Sequence, residues 1–411
     1  MAEIIYAPFK GIVPTELYAG QVASLPYDVL SSEEAKIKAK DNPYSFLHIS
    51  KAEIDFDEEI SQYDDRVYQK ASDNFNVLLE NGVLTYSNKP CFYAYQMEMM
   101  GHVQTGLAVG ASVKAYNEGR IKRHELTRVA KENDRVKQIR TVGAQTGPAL
   151  LINKNIPEVK DFLKDVVVNR KPLFSVVGEY NVRHTIWAID DEKEVNFISD
   201  CFAKQNEAYI ADGHHRSAAA SRLALEDGNS ENGRFLAVAY FEDEMKIWDY
   251  NRVVFDTNGL SFDELLTEIK NAGFELVPCV RKKSSRKGQF MLYLNHQWYE
   301  MNYIGSPIGL DPVALLDVSI LSNKVLDNIL GIKDLRNSER IDFIGGIRGD
   351  EEIERVVDEG QNRVGFMIYP TSVAELLAVA DNKMLMPPKS TWFEPKLADG
   401  LISLKTDKIG A

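Results

Sequence analysis

Cysteine is nearly missing from this chain. The three present, Cys91, Cys201 and Cys279, are far apart and odd in number, so neither a disulfide framework nor a zinc ribbon is expected. Long apolar runs are missing too. No stretch reaches the roughly 18 residues that a membrane span needs. The opening MAEIIYAPFKGIVP has no apolar core of the signal-peptide kind, so a cytoplasmic chain without a membrane partner is expected. Positive charge is in deficit: 48 Lys and Arg face 61 Asp and Glu, a net charge of −13. A general nucleic-acid binder needs clustered cations to neutralise phosphates, so no nucleic-acid partner is expected. The basic run VRKKSSRK, Val280 to Lys287, reads as a solvated loop rather than a groove. No GxxxxGK[ST] occurs, which excludes an ordinary P-loop. Solenoid-type repeats and low-complexity blocks are also missing.

What is there suits an ordinary soluble protein of more than one domain: 411 residues, 44% hydrophobic and 27% charged. Ser31 and Ser32, followed by acids, open a helix that Asn42-Pro43 stops, and YSFLHIS then reads as a strand. Apolar residues at helical spacing run up to Asn81-Gly82, a C-cap signal. CFYAYQMEMM and VQTGLAVGASVKAY read as a hairpin about Gly101, and a helix is expected near Val129 to Thr141. PALLIN and RHTIWAID are strands, and DEKEVNFISDCFAK is a helix. RFLAVAYFEDEMKIWDYNRVVF reads as a strand pair turning at Glu242 to Glu244. After Leu260, helix, strand, a hairpin about Asn295 and alternating strands and helices suggest a second unit, followed by a Pro-rich extended tail, Leu385 to Asp407. In that tail Lys389 and Trp392 read as packing ahead of a lid over a site. The expected domains are 1–259 and 260–411, in an α+β (mixed α/β) architecture.

The chemistry gathers in three places. The first is YIADGHHRSAAASRLA, Tyr209 to Ala224: a strand, a turn at Gly213, then an alanine-rich helix ended by Gly228. The first amides of a helix lack partners and its dipole favours anions there. His214, His215 and Arg216 stand at that N-terminus, where a phosphate offsets the cost of placing cations, and Arg offers a fork for phosphate oxygens. Two other readings stay open. Paired histidines are often polar surface with Asp212 as a helix cap; a zinc site ranks last, because adjacent histidines point to different sides and no H-x-x-x-H or C-x-x-C spacing accompanies them. The second place is KRHELTRVAKENDR, Lys122 to Arg135. Lys131 and Arg135 share a helix face at i, i+4, which alone reads as a solvated charged face. His124 and Glu125 precede that helix, where the acid can act as general base or hold a metal with Asp212. The third is LPYDVLS, where Tyr27-Asp28 is either an ordinary turn or a substrate contact.

Taken together, PYDVLS, NPYSFLHI, RHELT with KENDR, DGHHRSAAA and MPPKSTWFEPKLADGL resemble, in order and across nearly the whole chain, the domain-of-unknown-function family ten-fifteen (DUF1015). Ser217 stands where an aromatic is usual, Ala219 where a Thr is usual, and Pro26 is single where a pair is usual; these departures bear on substrate contacts more than on a phosphate site. The DGHHR box also resembles the phosphate-binding turn of ParB-like and sulfiredoxin-like domains, a fold on which free-serine kinases occur. The resemblance implies a ParB-like nucleotide-binding core and a kinase that uses ATP or ADP with Mg²⁺ to make O-phosphoserine from free L-serine. On that reading Gly213, His214, His215, Arg216, Lys131 and Arg135 bind phosphate. Glu125, Asp212 and His124 are catalytic, Asp212 or Glu125 holds Mg²⁺, and Tyr27 and Asp28 meet the amino acid. Such a mechanism works by positioned charge rather than covalent chemistry. The alternative is a ParB-like nucleotide switch without kinase activity. A homo-oligomer is compatible with either.

Overall fold

Pairing of the strand Ala208–Asp212 with Ala149–Asn153 on one side and Ile121–Lys122 on the other builds one end of a nine-stranded sheet. The computed structural model describes residues 4–229, 231, 233–305 and 311–406. Beyond Ala149–Asn153 the sheet continues through Arg234–Phe241, His102–Ser112, Phe92–Met99, Arg183–Ile189 and Phe174–Val177, with Tyr6–Ala7 added against His102–Ser112. It is mixed: Arg234–Phe241 runs parallel to Ala149–Asn153, and most other pairs are antiparallel. Side chains such as Phe92, Leu107, Val109, Leu151, Ile210 and Phe235 make its main core. A smaller four-stranded sheet joins Leu84–Tyr86, Gly11–Pro14, Ser403–Lys405 and Ala144–Gln145.

The chain forms two compact units, Met1–Met245 with Pro395–Ala411, and Lys246–Glu394. The expected boundary at 259/260 therefore lies inside the second unit. Tyr250–Val254 pairs with Ile341–Gly345 and Val364–Ile368, which commits it to the later sheet. The tail divides as well: Trp392–Phe393 pairs with Ile247–Trp248, while Ser403–Lys405 pairs with Gly11–Pro14, in the first unit. Asp407, the last residue of the expected tail, lies outside the described residues. The second unit is a six-stranded antiparallel sheet with the helices Phe262–Asn271, Glu351–Asp358 and Val373–Asp381. Both units combine helices and sheets, so the architecture is mixed α+β.

Two local expectations are corrected. Leu47–Ser50 is a helical turn, not a strand. The Asn42 side chain accepts the Tyr44 amide and Ser45 Oγ accepts the Leu47 amide, which favours a turn. Phe46 and Ile49 then share one buried face at helical spacing. Arg234–Phe241 and Tyr250–Val254 do not pair with each other, because both edges of each are taken by other strands. The hairpins about Gly101 and Asn295 form as expected, and so does the helix Val129–Val142.

Candidate functional site

Asp212 ends its strand, Gly213 follows at φ 90°, and the helix His214–Glu226 begins at once. Only glycine holds that left-handed conformation without strain. A Cβ there would also come within 3.0 Å of the Ala149 backbone, on the neighbouring strand. Among the described residues no side-chain hydrogen bond caps this helix N-terminus, whose N-cap is Gly213 itself. The turn thus leaves the first amides of the helix uncapped, as an anion site requires.

The helix Val129–Val142 packs across His214–Glu226 through Val136, Ile139, Ala219 and Leu223. That small apolar contact brings together segments about 80 residues apart in sequence. The Arg128 amide donates to His215 Nε2 at 3.0 Å, so the ring proton of neutral His215 sits on Nδ1. Burial lowers the His215 pKa, with Asp28 acting against it and Lys131 and Arg128 with it. Lys131 is therefore close enough for its charge to be felt at His215. Behind this face lie His124 and His214, 2% and 5% exposed, edge to face with ring centroids 4.5 Å apart. Burial brings His124 down to about 4 and His214 well below the ordinary imidazole range, so both rings are neutral at pH 7. His124 is tied to the Ile210 backbone. Glu125, half-buried, follows it in the chain.

Charge concentrates around Asp212. Arg216 Nη2 lies 3.3 Å and Lys396 Nζ 3.5 Å from Asp212 Oδ2. Burial alone would raise the Asp212 carboxyl, but the Lys396 and Arg216 charges hold it well below the usual carboxylate range. The Asp212 side chain stays one-third exposed (33%) while the Arg216 side chain is only 10% exposed. Arg216 also donates to the Pro148 carbonyl. Arg135 stacks on the Tyr27 ring at 3.8 Å and pairs with Asp134 at 2.7 Å, and Asp134 accepts the Tyr68 hydroxyl at 2.7 Å. Asp28, next to Tyr27, is exposed, and its charge reaches both His215 and Arg216.

The expected residues Tyr27, Asp28, His124, Lys131, Arg135, Asp212, Gly213, His214, His215 and Arg216 thus meet, directly or through one neighbour. Lys396 and Asp399 were not singled out from the sequence. They belong to the stretch PKLADGL, whose one basic and one acidic residue are the available signal. Among the described residues, no group of three or more His, Cys, Asp or Glu side chains could hold a metal ion. No helix of the described residues is long and apolar enough to cross a membrane. In the second unit, Trp392 packs on Tyr250 with ring centroids 4.8 Å apart.

The mixed sheet thus carries a strand–turn–helix at Gly213, with Arg216 and Lys396 paired to Asp212 beside it. The family model described as a protein of unknown function, DUF1015, matches residues 6–319, and the chain belongs to that family. No curated protein matches. Among solved structures, a mutant free serine kinase in complex with AMP is similar over 67% of this chain and 84% of its own, at 15% identity and a TM-score of 0.34. C-terminally truncated SbnI from Staphylococcus aureus is similar over 71% and 85%, at 12% identity and a TM-score of 0.39. A conserved hypothetical protein from Pyrococcus furiosus is similar over 68% and 90%, at 14% identity and a TM-score of 0.33. Superpositions this loose assign no activity.

Proposed function

We propose that this chain is a nucleotide-dependent kinase of a free hydroxy amino acid, serine first, built on a ParB-like core. The observation that carries the reading is the uncapped turn at Gly213, with Arg216 and Lys396 gathered around an ionised Asp212. ATP or ADP places its phosphates on the amides after Gly213, with Arg216, Lys131 and Arg135 countering their charge and the neutral His215 offering its Nδ1 proton as a hydrogen bond. The acceptor hydroxyl forms the new O–P bond as the bond to the leaving nucleotide oxygen breaks, and its proton passes to Glu125. Asp212 is held too far below neutral to accept that proton, so its part is electrostatic. His124 and His214, buried and neutral, position the turn from behind. Tyr27 and Asp28 face the amino acid, Asp28 through its exposed carboxylate toward the ammonium group.

Mg²⁺ needs only one or two protein carboxylates when phosphates supply the remaining oxygens. Asp212, ionised and one-third exposed, fits that part, with Glu125 as the second choice. When bound, the ion neutralises phosphate charge.

The test is formation of O-phosphoserine from free serine with ATP and with ADP. Glu125→Gln keeps shape and loses the base, and is expected to cut the rate about 10²–10⁴-fold with an unchanged melting temperature. Asp212→Asn is expected to cut the rate as well and, by leaving Arg216 and Lys396 without their carboxylate, to lower the melting temperature. Partial recovery of one variant by added Mg²⁺ marks that carboxylate as the metal ligand. A wild type that binds nucleotide but makes no product refutes the kinase and leaves the nucleotide switch.

A further inference from the structure

Asp399 lies at the centre of the charged cluster and has no part in the scheme above. It is 2% exposed. Its backbone is pinned on both sides: the Asp399 amide donates to the Ser24 carbonyl at 2.9 Å and the Ser24 amide donates back at 3.2 Å. The Tyr27 amide faces its carboxyl. Among the described residues, Asp399 Oδ1 has no hydrogen-bond partner, and no ion pair joins it to an arginine. A Cβ on Gly147 would fall 2.8 Å from that oxygen and 3.5 Å from Arg216 Cδ. A bare glycine thus leaves an orphaned carboxyl oxygen and the arginine stem bordering one small space. A buried polar atom without a partner is costly and calls for an explanation.

We propose that Asp399 is a positioning residue of the anion site: a buried carboxyl that sets the charge beside Arg216 and Arg135 and takes up a proton when an anionic ligand arrives. The inference rests on the anion-site reading and deepens it. The groups facing Asp399 are Arg216 on the helix after the DGHHR turn, Arg135 on the crossing helix, Tyr27 and Asp28 on the loop, and the Tyr95 hydroxyl from the sheet. Burial pushes the carboxyl up to about 7; Arg216 and Arg135 pull it down, and Asp28 adds to the rise. Buried as it is, this carboxyl holds its proton far more readily than an exposed aspartate does. Phosphate charge arriving on Arg216 weakens the pull that keeps the proton off, so binding and protonation are coupled. The proton comes from solvent and returns to it when the ligand leaves.

Calorimetry on the full chain tests this, with ADP at pH 7 and pH 8 in two buffers of different ionisation enthalpy. At pH 8 the ADP phosphates are ionised before binding, so proton uptake belongs to the protein. Wild type is expected to take up close to one proton per ADP at pH 8, with affinity falling by up to about tenfold from pH 7 to pH 8. Asp399→Asn is expected to bind ADP without uptake and with affinity that does not change over that interval. Asp399→Ser serves as the second variant if melting shows that Asp399→Asn is unfolded. Wild-type binding without uptake, or uptake that survives at Asp399→Asn, overturns the role of Asp399. Failure of wild type to bind ADP at either pH overturns the anion site itself, a distinct result.

Discussion

Each unit buries arginine, and each treats it differently. In the first, Arg216 and Arg135 lie among carboxylates: Asp212 and Asp134 pair with them and Asp399 stands nearby. In the second, Arg252 is fully buried and no ion pair joins it to a carboxylate among the described residues. Its guanidinium donates to the Tyr250 and Lys389 carbonyls, its Nε has no partner among the described residues, and the Phe343 ring lies 5.3 Å away. Burial pushes Arg252 down to about 10, whereas the acids around Arg216 outweigh its burial and raise it. A cation held by carbonyls works as a rivet between Tyr250 and the Lys389 segment. A cation set among adjustable acids can exchange partners when an anion arrives. Burial of charge alone is therefore no mark of function; the partners decide.

The largest effect should come from breaking the rivet. Arg252→Ala leaves two carbonyls unsatisfied and a cavity, and is expected to cost about 3–5 kcal/mol. Arg252→Met fills the space but leaves the same two carbonyls unsatisfied, so it is expected to recover only the cavity part of that loss. Tryptophan fluorescence in denaturant reads this, since three of the four tryptophans, Trp248, Trp298 and Trp392, lie in the second unit. Equal losses in both variants would show that the guanidinium hydrogen bonds, not the volume, carry the stability.

The intermediate effect belongs to Arg216. Arg216→Ala is expected to weaken ADP binding about tenfold or more, and Arg216→Lys by less, because lysine keeps the charge but loses the fork. Titration calorimetry on variants with unchanged melting temperature checks the order. An Arg216→Ala variant that binds as wild type does would make Arg216 a rivet like Arg252.

The smallest effect comes from a pair outside both clusters, His48 and Asp55. His48 Nδ1 meets Asp55, Asn74 donates to the same carboxylate at 2.7 Å, and His48 Nε2 lies 3.2 Å from the Asn42 carbonyl. The Asp55 hydrogen bond raises the His48 pKa above 6.5. Burial alone would raise Asp55, but the His48 and Asn74 bonds bring it below 3.8. The histidine's contribution is complete below pH 6.5 and is lost as pH rises through its folded value. The carboxylate's is complete above pH 3.8 and is lost as pH falls through its folded value. The pair is partly solvated, so about 1 kcal/mol or less is at stake. Melting temperature against pH should show wild type losing more than His48→Gln between pH 6 and pH 8; parallel curves would remove the pair from the stability of this fold.

Local chemistry explains what could be read without a structure. An apolar run, a glycine and an alanine-rich segment suffice to set the strand, the turn at Gly213 and the helix after it, because each depends on neighbours within a few residues. The same holds for the hairpins about Gly101 and Asn295. YSFLHIS failed because a short apolar run has no distinct period, and the Asn42 and Ser45 side-chain bonds that bend it are weak signals. The helix Pro157–Asn169 carries local signals too, since Pro157 opens it and Val159, Leu163 and Val166 share a buried face. Strand partners and the unit boundary were beyond reach, because Arg234–Phe241 and Tyr250–Val254 look like one hairpin until distant strands claim their edges. The sequence by itself determined the DGHHR turn and the cations in and before it. Only the tertiary structure brought Lys396 and Asp399 to that turn, since contacts between residues about 180 positions apart depend on the closing of the small sheet by Ser403–Lys405, and the ionisation of Asp212 and Asp399 depends on burial and neighbours that no local stretch encodes.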